Sequence, residues 1–69
     1  MTADLSAIMR QFRRDVKFLM RELGVREAAK QLDTSATSLY AWEKPDSNPR
    51  QKTIRRVLKL AEEVRADNG

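Results

Sequence analysis

The sequence predicts a small all-α domain of four helices, and three observations carry that expectation. Apolar residues recur at helical rather than alternating spacing through most of the 69 residues. Only two glycines and two prolines interrupt the pattern, and they fall where turns are needed. The apolar set is mostly Leu, Ala, Met and Val, a bias that favours helix over sheet. A chain of this length holds one domain, residues 1–69, around one modest core.

The first helix is expected over residues 4–23. Leu5, Ile8, Met9, Phe12, Val16, Leu19, Met20 and Leu23 form one apolar stripe. Asp4 is placed to cap it and puts negative charge at the positive end of the helix dipole. Arg10, Arg13, Arg14 and Lys17 lie off the stripe centre, with Asp15 and Glu22 among them. Phe18 projects roughly opposite the stripe, which leaves two readings: a ring covered by another helix, or a contact to a second subunit.

Gly24 should end that helix as an unhindered left-handed residue. Val25, Ala28, Ala29 and Leu32 form the apolar side of a short second helix, residues 25–32. After a tight Asp33-Thr34 turn, Ser35 caps a third helix over residues 35–44, with Leu39 and Trp42 inward. It stops before Pro45, whose ring disfavours helix in the preceding residue. Pro45-Asp46-Ser47-Asn48 reads as a loop. Asn48 then reads as a cap, with Pro49 as the first residue of a last helix over residues 49–66. In that helix Ile54, Val57, Leu58 and Ala61 point inward. Leu60 and Val64, four apart on a flank, extend the core or form a dimer seam.

Composition excludes several chemistries. With no cysteine and no histidine, disulfides, thiolate chemistry and a structural zinc site are ruled out. Acid–base catalysis would rest on carboxylates or lysines, and none sits in a catalytic constellation. Without a Gly-rich phosphate loop either, an enzyme is not expected, nor are a cofactor and a small-molecule ligand. No apolar run approaches the ~18–20 residues of a membrane span. Met1-Thr2-Ala3-Asp4 does not resemble a secretory leader, so a cytoplasmic location is expected. A formal net charge of +4 and a pI near 10.0 draw the chain towards polyanions.

Two short helices separated by about two residues cannot lie flat and antiparallel, so they cross steeply as a helix-turn-helix. Ala29 is small where the second helix approaches the third. Leu32, Leu39 and Trp42 wedge between these helices and the first. Ala36, Thr37, Tyr40, Ala41 and Lys44 then project outward. An outer face of short, mildly polar side chains fits deep into a DNA major groove.

From about Gly24 to Ala61 the sequence resembles the lambda-repressor/Cro-like helix-turn-helix proteins of phages and bacteria. The family's small-residue pair corresponds to Ala28-Ala29, its turn position to Thr34 and its capping serine to Ser35. Its hydrophobic, aromatic and acidic positions correspond to Leu39, Trp42 and Glu43, and its later proline and apolar positions to Pro49, Thr53, Ile54 and Val57. The chain departs from the family at Asp33 and Pro45, where glycines are usual, and in the short spacing after Gly24. Asp33 tolerates left-handed backbone better than most residues.

The resemblance implies a transcriptional regulator of phage or mobile-element type that covers a double-stranded DNA operator. Ala36, Thr37, Tyr40 and Ala41 would face base edges, with Ala and Thr methyls suited to thymine methyls. Arg26, Ser35, Ser38, Lys44, Arg50 and Lys52, with the amides opening the second helix, would hold phosphates. No Arg, Asn or Gln stands on the outer face, so DNA shape would carry part of the readout. Each assignment has a plainer counterpart. Tyr40 and Arg26 suit a simple surface position, and Arg55-Arg56 a solvated helix face. Glu43 suits an ion pair with Arg21 or Lys17. A homodimer would set two reading helices about 34 Å apart, joined through the N-terminal part of the first helix or the late last helix. The rival reading is a protein-interaction module of the same shape, of antitoxin or antiactivator type.

Overall fold

The structure, a computed structural model, describes residues 5–68 and the side chains of residues 6–67. Asp4, the expected first cap, lies outside these residues. Four helices follow in order: α1 (Leu5–Leu23), α2 (Val25–Gln31), α3 (Ala36–Trp42) and α4 (Gln51–Asn68). No strand occurs among the described residues. No helix among them is long and apolar enough to cross a membrane. The chain is a small all-α domain.

α1 is the central beam, packing against each of the other three helices. Its stripe delivers Phe12, Val16 and Leu19 to the interior with no exposed surface. Met9, Met20 and Leu23 pack on the edge of the same core, and Ile8 is half-buried. α2 supplies Ala28 and Ala29, whose small side chains let its backbone come close, and Leu32 follows at its end. α3 contributes Leu39, fully buried, and Trp42, whose ring lies 6.0 Å from that of Phe12 at 55°. Such a tilted pair adds about 0.5–1.5 kcal/mol to the area it buries. Val57 and Ala61 of α4 complete the interior.

On α4 the expected inward set needs one correction. Leu60 and Val64 pack against the core, whereas Leu58 is half-buried outside that cluster. The α4 stripe is thus rotated by part of a turn from the one expected. Phe18 is half-buried and packs against the core, beneath Arg65 of α4. The first of its two readings fits this position.

The joints explain why two helices are so short. A single residue, Gly24, separates α1 from α2. Its N–H donates to the Met20 carbonyl at 3.0 Å, and its own carbonyl accepts from Ala28 at 3.0 Å. Its φ of 83° is positive as expected, but ψ is 154°, so it is not in the left-handed helical region. That extended mirror conformation is open essentially to glycine alone. An added Cβ would meet no atom within 4 Å, so the requirement is one of backbone and not of space. Gly24→Ala is therefore expected to cost about 1–3 kcal/mol. A urea titration checks this, and a loss below roughly 0.5 kcal/mol would remove the argument.

α2 ends one residue earlier than expected, in a Schellman arrangement. Thr34 N–H donates to the Ala29 carbonyl at 2.9 Å and Asp33 N–H to the Lys30 carbonyl at 3.2 Å. Asp33 takes the left-handed position at φ 56°, the role usually given to glycine. α3 begins at Ala36 with Ser35 as its cap and ends at Trp42, two residues short of expectation. Lys44 is held out of helix by Pro45. Ser47 then ties the loop back, its hydroxyl donating to the Trp42 carbonyl at 3.1 Å and its N–H to the Lys44 carbonyl at 3.1 Å.

That tether uses up chain, and α4 opens at Gln51 rather than at Pro49. Arg50 supplies the first helical carbonyl, accepting from Ile54 at 3.0 Å. Asn48 and Pro49 stay in the loop, contrary to their expected places as cap and first helical residue.

Candidate functional site

The outward face of α3 is built from the cap upward. Ser35 has extended backbone, φ −108° and ψ 161°, and its Oγ accepts from the Ser38 N–H at 3.2 Å. A cap of this kind stabilises a helix by about 1 kcal/mol. The Ser35 hydroxyl also donates to the Ser38 Oγ at 3.1 Å. The two serines expected to hold phosphates are thus already engaged with each other, while Ser35 remains exposed and Ser38 is half-buried.

With Leu39 sealed inside, helical geometry turns its neighbours out. Thr37 and Ala41 are exposed, and Tyr40 is 54% exposed, the one large hydrophobic side chain so placed among the described residues. Ala36 is half-buried, so it is less available than the other three. α3 contains no charged residue. Its outer surface is therefore uncharged, with the Thr37 and Tyr40 hydroxyls as its polar groups and no carboxylate on the helix itself to repel a phosphate.

The cations expected around this face are all exposed: Arg26 on α2, Lys44 and Arg50 in the exit loop, and Lys52 on α4. They are not alone: Asp33, Glu43 and Asp46 lie in the segments that flank α3 in the chain. Contrary to the expected ion pair, Glu43 is joined to neither Arg21 nor Lys17. Glu43 instead closes α3 as its C-terminal cap residue, and Arg21 reaches Glu22 at 3.8 Å. Arg55 and Arg56 are exposed on α4, as a solvated helix face requires.

One structural charge was missed in the sequence. Asp15 is 1% exposed, and its Oδ1 accepts from Arg65 Nη2 at 2.6 Å and from Gln11 Nε2 at 2.9 Å. The same guanidinium lies 4.5 Å above the centroid of the Phe18 ring. The available signal was register: Asp15 is three residues after Phe12 and four before Leu19, at the edge of the buried stripe.

No set of three or more acidic residues among those described could hold a metal ion. The crevices that exist are shallow and open. The one beside the α2–α3 turn, between Leu32, Thr34, Trp42, Thr53 and Val57, is about 120 Å³. That is well below the ~300–1,000 Å³ of typical small-molecule sites. No protein-family model, curated protein or solved structure matches the chain.

Proposed function

We propose that this chain is a sequence-specific, double-stranded DNA-binding transcriptional regulator of phage or mobile-element type. In this reading α2 and α3 form a helix-turn-helix of the lambda-repressor/Cro-like kind, and α3 enters the major groove. The observation that carries it is the two-sidedness of α3: Leu39 is fully buried while Thr37, Tyr40 and Ala41 stand exposed on an uncharged outer face. Thr37 and Ala41 are short enough to let the helix lie close to base edges, and Tyr40 reaches further out from the same face.

The Thr37 methyl and Ala41 suit thymine methyls, and the Thr37 and Tyr40 hydroxyls suit base edges or phosphate. Arg26, Lys44, Arg50 and Lys52 are exposed, and in this reading they take phosphates, which set orientation but carry no sequence information. The regulator acts in the cytoplasm as a homodimer, because one module reads only a few base pairs and two-fold pairing doubles the site.

The test is a pull-down of genomic DNA fragments with the wild-type chain, Thr37→Glu and Tyr40→Ala. Wild type should enrich a discrete set of sites. Thr37→Glu puts a carboxylate into the groove and should weaken binding to those sites by about 10–100-fold, and Tyr40→Ala should change which sites are chosen. Affinity should also fall with salt, with a slope matching the few phosphates contacted. If both variants retain the wild-type sites at full strength, α3 is not the reading helix. No bound DNA at low salt would favour the protein-interaction reading instead.

A further inference from the structure

A second concentration of positive charge lies on α1, apart from the cations around α3. Arg10, Arg13, Arg14, Lys17 and Arg21 share that helix with two carboxylates, one of them the buried Asp15. Arg10 and Arg13 line a hollow with Met9 and Pro45, beside the exit loop. Arg14, Lys17 and Arg21 instead line a groove of about 310 Å³ with Phe18 and, from α4, Arg65.

This groove is organised before any partner arrives. Arg65 is fixed in place by Asp15 at 2.6 Å and by the Phe18 ring at 4.5 Å. Phe18, half-buried, gives it an apolar element. Arg14 and Lys17 are exposed and have no carboxylate within ion-pair distance among the described residues. Arg21 has only the weak contact to Glu22 at 3.8 Å. Residues 14, 17 and 21 follow i, i+3, i+7 spacing, with axial steps of about 4.5 and 6 Å.

We infer that this groove docks an acidic amphipathic helix from a partner protein, with carboxylates at matching spacing and an aliphatic side chain set against Phe18. Helix geometry places Arg14, Lys17 and Arg21 about 140–200° around α1 from Phe12. Phe12 faces Trp42 of α3, so the groove lies on the far side of α1 from α3. A duplex seated on the outer face of α3 would not reach it.

The chemistry also selects among occupants. A phosphate backbone offers nothing apolar to meet Phe18. A second copy pairing symmetrically through this face would set cations against cations. An acidic helix with an apolar seam meets both requirements and leaves the α3 face free.

The test titrates the full chain with a synthetic three-turn helix carrying Glu at i, i+3 and i+7 and Leu between them. A scrambled peptide of equal charge and a DNA duplex run in parallel, followed by NMR and anisotropy. The expected result is saturable shifts at Arg14, Lys17, Phe18 and Arg21. Affinity should fall about tenfold or more in Arg14→Glu/Lys17→Glu and hold in Thr37→Glu. Both substituted residues are exposed, so the fold should survive, and Arg14→Gln/Lys17→Gln serves if it does not. Equal binding of the scrambled peptide, no peptide binding, or displacement of the peptide by DNA from these residues would each overturn the inference. None of these outcomes depends on whether α3 reads DNA.

Discussion

Phe12→Ala is expected to leave the chain largely unfolded at room temperature. Phe12 has no exposed surface, and it sits on α1, the helix that packs against all the others. Its ring is also the partner of Trp42, so truncation removes core volume and loosens α3 together. A buried Phe→Ala change costs roughly 3–5 kcal/mol. A domain of this length rarely has more than about 3–5 kcal/mol in total, so the loss consumes nearly all of it. Phe12→Leu, which keeps most of the volume, should cost no more than about 1.5 kcal/mol. Tyr40→Ala, at a position open to solvent, should change stability by less than roughly 0.5 kcal/mol. Far-UV circular dichroism and urea titration of the three variants test this ordering. A Phe12→Ala variant that melts near wild type would show that the core is not organised around α1.

The reasons these elements were or were not legible in the sequence are local. Helix number and type followed from periodicity, because the α1 stripe, the Ala28-Ala29 pair and the Val57-to-Ala61 spacing each fit only one helical face. The sidedness of α3 was legible for the same reason: once Leu39 is inside, Thr37 and Tyr40 are turned out. Asp33, standing where the resembled family usually has glycine, takes φ 56°, as the tolerance of Asp for left-handed backbone allows.

The remaining features depend on contacts that no local pattern encodes. Ser47 reaching back to the Trp42 carbonyl delays α4 to Gln51, and propensity at Asn48-Pro49 gives no hint of that tether. Leu58 and Leu60 are two residues apart on one helix, and only the seat of α4 on α1 decides which of them is covered. Asp15 reads as surface charge until Arg65, fifty residues away, comes to meet it. The candidate site shares this limit. Its neutral face was readable, but the engagement of Ser35 with Ser38 appears only in three dimensions.

The Asp15–Arg65 pair supplies the second large effect, and its sign depends on which partner is removed. Asp15 is buried, with a side chain 2% exposed, whereas that of Arg65 is 46% exposed. Arg65→Met keeps the aliphatic stem near Phe18 but leaves the buried carboxylate with Gln11 as its one remaining donor. Stranding a charge in this way is expected to cost about 2–3 kcal/mol, below the figure for a fully buried pair because Arg65 is half in water. Asp15→Leu strands nothing of comparable cost, since the freed guanidinium can turn to solvent. Leu also repeats the branched shape of Asp and joins Phe12, Val16 and Leu19 in an apolar setting. The double variant should therefore recover most of what Arg65→Met loses, or exceed wild type, as replacement of buried ion pairs by apolar residues often does. A double-mutant cycle in urea measures the coupling directly. If Asp15→Leu alone were as damaging as Arg65→Met, and the double variant lost no more than either, the pair would be making a specific favourable contribution to the α1–α4 contact, and attraction would outweigh the cost of desolvation.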